Sequence, residues 1–149
     1  MRRLLAALLS VLALSVGGVS VAEATPSSSV TIVTAIDFSQ FPFSGTFTVT
    51  AGSSALGCSE GEFVDLPRGN GFIERTFTCT EGSGSGDTFI VHFHPLFVGP
   101  PGPGDANGPW SAKGGTGSFV TLHGSGDFSL VFTSPSSGVE TLTGRIHFD

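Results

Sequence analysis

The chain has 149 residues, including 22 glycines, 14 phenylalanines and no tyrosine, and only 12% of its residues are charged. That is the length of one domain, and a formal net charge of −6 denies it the basic footprint that nucleic-acid phosphates or anionic membrane surfaces require. Past the first two dozen residues no helical period appears, serine and threonine are abundant, and turn signals recur about every ten residues, which reads as an all-β chain.

The first residues have the composition of an export signal. Arg2 and Arg3 supply a positive start, Leu4 to Val16 an apolar stretch broken only by serines, and Ala22-Glu23-Ala24 a small-x-small cleavage site. The apolar run is short for a membrane span, and no cysteine adjoins the cleavage site. The expectation is a secreted protein, cleaved after Ala24, with no membrane attachment in its mature form. Without residues 1–24, Arg68, Arg75, Lys113 and Arg145 face eleven acids. Residues 25–29 read as a polar, flexible lead-in and residues 30–149 as one β domain.

Val30 to Ile36 is β-branched and reads as the first strand. Asp37 to Ser44 holds Pro42 between Phe41 and Phe43, a loop with anchored aromatics. Gly45 to Thr50 sets Phe47 and Val49 against three threonines, a second strand with one apolar face. Cys58 to Leu66 is the third strand, and Arg68-Gly69-Asn70-Gly71 a turn. In the fourth, Phe72 to Thr80, Ile73, Phe77 and Cys79 share a parity that also contains Arg75. In the fifth, Asp87 to Pro95, Phe89, Val91 and Phe93 point one way and Ile90, His92 and His94 the other. Leu96 to Pro109, with four prolines, reads as a long irregular rim loop.

Gly108 to Phe128 is the most patterned stretch. Gly114-Gly115-Thr116-Gly117 has the composition of a strand kink or corner. Phe119 to His123 alternates as a sixth strand, Gly124-Ser125-Gly126 reads as a hairpin connection, and Asp127 to Thr133 as a seventh strand facing Phe128, Leu130 and Phe132 inward. Val139 to Phe148 is the eighth. A phosphate-cradling role for the glycines fails, because strand-forming Phe119-Val120-Thr121 follows where a helix is needed. Eight short antiparallel strands in up-and-down order close into a β-barrel, which removes exposed sheet edges; a β-sandwich is the alternative.

Chemistry-bearing constellations are few. Cys58 and Cys79, in an exported chain, read as one disulfide across the third and fourth strands. His92 and His94 share a strand face and are weak metal candidates, needing a third ligand from His123, His147 or Asp127. Glu60 and Glu62 read as solvated acids; Arg75 and Arg145 lie among apolar strand positions, either as buried charges paired with Glu74, Glu60 or Glu62 or facing outward, and exposure is the expectation. No nucleophile–base motif can be assembled, and no cofactor is called for. Phe47, Phe77, Phe89, Phe119, Phe128 and Phe132 are placed to fill the barrel or to line a ligand space inside it.

Trp110, Gly114-Gly115-Thr116-Gly117-Ser118-Phe119, Leu122 and Gly124-Ser125-Gly126 together resemble the GGTG-x-[FY] signature of the allene oxide cyclase and dirigent barrels of plants. The stretch is more similar still to small secreted actinobacterial proteins of that type, which share a cysteine-containing hairpin matched here by Cys58 and Thr76-Phe77-Thr78-Cys79. The resemblance implies an eight-stranded barrel and a homo-oligomer. The enzymes' catalytic carboxylates have no matching positions here, so it carries no activity over. Two functions follow as expectations: a non-enzymatic barrel binding a small apolar molecule or a partner, or a cyclase- or isomerase-like enzyme acting on an apolar substrate inside the barrel.

Overall fold

The computed structural model describes residues 26–97 and 106–149; the export signal expected at residues 1–24 lies outside them. Among the described residues nine strands form a single antiparallel sheet: β1 Ser28–Asp37, β2 Ser44–Ala51, β3 Glu60–Gly69, β4 Phe72–Glu81, β5 Thr88–Phe93, β6 Leu96–Phe97, β7 Ala106–Gly115, β8 Leu122–Ser134 and β9 Ser137–Phe148. β1 pairs with both β2 and β9, and β5 pairs with β7, with Phe93 opposite Trp110 and Phe89 opposite Gly115. The sheet therefore closes on itself as an eight-stranded up-and-down barrel, with the two-residue β6 added along β7. The sandwich alternative is excluded by that closure.

Alternation builds the interior. β1 turns Val30, Ile32, Thr34 and Ile36 inward, β4 turns Arg75, Phe77 and Cys79 inward, and β5 turns Phe89, Val91 and Phe93 inward. One end of the barrel is sealed. The short helix α1, Ser53–Leu56, lies there, and Cys58 and Cys79 are joined beside it with their Cα atoms 5.9 Å apart. A 3₁₀ turn at Gly117–Phe119 drops the Phe119 ring in as a stopper.

The second half of the chain departs from the sequence reading in three places. The sixth barrel strand is Ala106–Gly115, and the rim loop expected up to Pro109 gives way to strand at Ala106. Pro109 is tolerated there because its carbonyl accepts from His94 N at 3.4 Å. The proline supplies only the acceptor half of that pair, just past the end of β5, where the lost donor falls outside the regular ladder. The expected strand Phe119–His123 is instead a turn that leads into β8.

Gly124-Ser125-Gly126 is not a hairpin but the interior of β8. Trp110, Gly126 and Gly144 are cross-strand partners on β7, β8 and β9. A Cβ on Gly144 would lie 2.5 Å from the Trp110 indole. The glycines are the space the indole occupies, and Trp110 Nε1 donates to the Thr143 carbonyl at 3.2 Å.

The GGTG corner turns through Gly114 at φ 81° and Gly117 at φ 48°, conformations that favour glycine. Its backbone does cradle an anion, but the chain's own: Ser118 N and Oγ donate to Asp87 Oδ2 at 2.8 and 2.9 Å. These bonds hold the Asp87 carboxyl below its ordinary range.

Candidate functional site

The barrel interior divides into two compartments. Toward the sealed end the phenylalanines fill the space themselves. Phe77 stacks on Phe89 with centroids 4.6 Å apart, meets Phe47 edge-on at 4.9 Å and lies 5.8 Å from Phe63; Phe89 meets Phe119 at 5.1 Å. All five rings are 2% exposed or less, so this half is packed solid. Of the aromatics expected to line a ligand space, Phe47, Phe77 and Phe89 belong to this plug, with Phe119 beside them.

Toward the other end lies a cavity of about 300 Å³. Ile36, Phe38 and Phe43 bound it on the β1–β2 side, Ile73, Phe93 and Pro95 on the β4–β5 side, and Ala106, Phe128, Leu130 and Phe132 on the β7–β8 side. Phe128 and Phe132, both expected as ligand-lining residues, stand in this wall. Phe38 contacts Phe43 and Phe132 at 5.2 Å each, and Phe93 contacts Phe128 at 5.3 Å. Phe38, Phe43, Ile73 and Phe132 are only partly buried and form the mouth. The loop carrying two of them turns through a cis Phe41–Pro42 bond.

A buried charge cluster separates the compartments. Arg75, Asp65 and Glu140 are each no more than 3% exposed and all border the cavity. Arg75 Nε and Nη2 donate to Asp65 Oδ1 and Oδ2 at 2.6 and 2.8 Å, a bidentate pair. Arg75 Nη1 donates to Glu140 Oε2, which also accepts from Thr34 Oγ1 at 3.4 Å. The guanidinium carbon lies 4.1 Å from the Phe63 ring centre and 4.7 Å from that of Phe93, a cation–π arrangement on both compartments' rings.

The expectation that Arg75 is exposed is therefore wrong. Its parity with Ile73, Phe77 and Cys79 was the signal, and two carboxylates from β3 and β9 make its burial tolerable. Asp65 and Glu140 went unnoticed in the sequence, although each sits in register with inward apolar neighbours, Phe63 and Leu142. Arg145, by contrast, is exposed, with Nε donating to Ser27 Oγ at 2.9 Å. Glu60 and Glu62 are exposed as well.

One cation cannot neutralise two acids. Burial alone would lower Arg75, but Glu140 and Asp65 outweigh it and hold the guanidinium above its ordinary range. Glu140 is the poorer-served acid. Burial pushes its carboxyl up, the Arg75 attraction recovers only part of that, and Asp65 adds repulsion. Both hydrogen bonds that Glu140 accepts from described residues fall on Oε2. No sealed polar side-chain atom among the described residues lacks a partner, so Oε1, which accepts none of these bonds, is not fully sealed, and Glu140 is one of the residues lining the cavity.

The histidines lie elsewhere. His92 is on the outer face, with Nε2 3.2 Å from Glu74 Oε2, and the His94 ring meets Phe72 edge-on. His123 and His147 stack on the far side of the barrel beside Asp149. Among the described residues no three His, Cys, Asp or Glu side chains converge to hold a metal ion, and no helix is long and apolar enough to cross a membrane.

No protein-family model matches the chain, and no curated protein does. Among solved structures it is similar to a pterocarpan synthase dirigent protein, at 12% identity, covering 85% of this chain and 89% of that one, with a TM-score of 0.47. The barrel itself rests on the strand register described above.

Proposed function

We propose that the protein is a non-enzymatic binding barrel that takes one small apolar molecule into the cavity between loop 38–43 and the Arg75 cluster. The observation that carries this reading is the cavity: about 300 Å³ of preformed space walled by aromatic and aliphatic side chains, at the small end of the range for ligand sites. A chain meant only to pack could have extended its phenylalanine plug to both ends. The disulfide supports an oxidising, extracytoplasmic setting. One observation favours the second reading, a cyclase- or isomerase-like enzyme: Glu140 is a buried acid with a raised proton affinity that borders an apolar space.

The test is calorimetric titration of the whole protein with propylbenzene, alongside native mass spectrometry of protein taken from its own secretion medium. Saturable one-to-one binding, lost in Ile73→Trp, which fills the mouth, is the expected result. The mass spectrum reports any retained ligand and the subunit count. Failure of propylbenzene and of its polar-headed analogues to bind, with no co-purifying small molecule, would overturn the proposal.

A further inference from the structure

Resting on the cavity reading above, we propose that the ligand is an apolar amine: a hydrophobic body lodged among the phenylalanines, its ammonium group set against Glu140 Oε1. The argument starts from charge. Among the described residues bordering the cavity there are two acids, Asp65 and Glu140, and a single cation, Arg75. Asp65 takes two of the guanidinium nitrogens and leaves Glu140 the third. The floor is thus one positive charge short.

Geometry says where that charge belongs. Glu140 Oε2 is occupied by Arg75 and Thr34, whereas Oε1 takes no hydrogen bond from the described residues, is not fully sealed, and belongs to a side chain that lines the cavity. Glu140 as a whole is 3% exposed, so water serves this oxygen poorly. A ligand ammonium would supply both the missing donor and the missing charge.

The walls suit a cation too. Phe38, Phe43, Phe93, Phe128 and Phe132 surround the space, and ring faces attract ammonium groups, most strongly where water is excluded. A carboxylate of the same size would face Glu140 across a medium of low polarizability. The one cation in reach has all three nitrogens committed to acids and three rings around its carbon. No covalent step is involved. An amine arriving neutral takes the proton of a neutral Glu140, and one arriving as ammonium meets the carboxylate; the bound pair is the same.

A matched series decides it. Propylbenzene, 3-phenylpropanol, 3-phenylpropylamine and 3-phenylpropionate share one body and differ in the head group. They are titrated into the intact protein at about 0.15 M salt, where attraction to its acidic surface is screened. The amine is expected to bind at least about tenfold tighter than the alcohol, with the carboxylate weakest.

If propylbenzene and the alcohol bind as well as the amine, the amine assignment is overturned and the cavity reading stands. If none of the four binds, the cavity reading falls and takes this one with it. In Glu140→Gln the amine's advantage over the alcohol is expected to vanish while propylbenzene binding persists. An advantage that survives this substitution overturns the role of Glu140. Because that variant disturbs a buried cluster, the wild-type carboxyl carbon of Glu140 is followed by NMR as well. Its resonance is expected at the carboxylate position in the amine complex, and a protonated-carboxyl resonance under saturating amine also overturns the proposal.

Discussion

Arg75 is the residue on which the interior turns. Its guanidinium holds Asp65 on the neighbouring β3 and reaches across the interior to Glu140 on β9, which pairs with neither β3 nor β4. Removing it leaves two carboxylates buried without a counter-charge. Arg75→Met is therefore expected to destabilise the fold by about 3–5 kcal/mol, read as a drop in urea midpoint. Adding Asp65→Asn and Glu140→Gln should restore most of the loss, because the buried charge is then gone.

The same cluster predicts a pH dependence. In the unfolded chain Glu140 titrates at its ordinary value of 4.5, and in the folded barrel burial raises it. Its contribution is fully present below the unfolded value and is lost as pH rises through the folded one. Glu140→Gln, which carries no proton to lose, should gain stability relative to wild type as pH rises above that ordinary value. Asp87, whose carboxyl is lowered by Ser118, acts in the opposite sense and weakens the GGTG corner only as pH falls through its folded value. An unchanged difference between Glu140→Gln and wild type as pH rises would place the ionised carboxylate in the folded state throughout.

At the level of elements, period-two alternation was enough to place β1 to β5 and β9, because each has one wet and one buried face. It also separated inward Phe89, Val91 and Phe93 from outward His92. What alternation could not show was β7. Asn107, Gly108 and Pro109 carry loop composition, and only the end of β5 at Phe93 explains why a proline fits there. Nor could it show that Gly124 and Gly144 hold open the space for an indole arriving from a different strand, since that pairing is long-range. The cysteine reading succeeded because the hairpin register is local: Gly61 opposes Cys79 and the two sulfurs meet beside α1. The bond spans a separation of 21 residues, so Cys58→Ala with Cys79→Ala is expected to cost about 3 kcal/mol by loop-closure entropy. Equilibrium unfolding against the oxidised parent measures it, and the denaturant slope should change along with the midpoint because the unfolded state is released.

For the whole molecule, the division into a packed half and an open half makes opposite demands on phenylalanines of the same apparent type. Phe77 sits at the centre of the plug, touching Phe47, Phe63 and Phe89. Truncating it should cost about 3–5 kcal/mol, as for large buried aromatics elsewhere. The space it leaves lies beyond the Arg75 cluster, whose side chains and covering rings stand between it and the mouth. Phe77→Ala should therefore bind propylbenzene with nearly unchanged affinity while melting early. Phe132 contacts Phe38 at the mouth and is already partly exposed, so Phe132→Ala should cost much less than Phe77→Ala. It should also shift preference toward bulkier probes, such as a naphthalene ring in place of benzene. Thermal shift and calorimetry on both variants separate the two quantities, because ligand stabilisation follows mass action on the folded state alone. If Phe77→Ala instead enlarges the accepted ligand and Phe132→Ala does not, the two compartments communicate. The charge cluster would then be lining one continuous chamber rather than forming the floor of a smaller one.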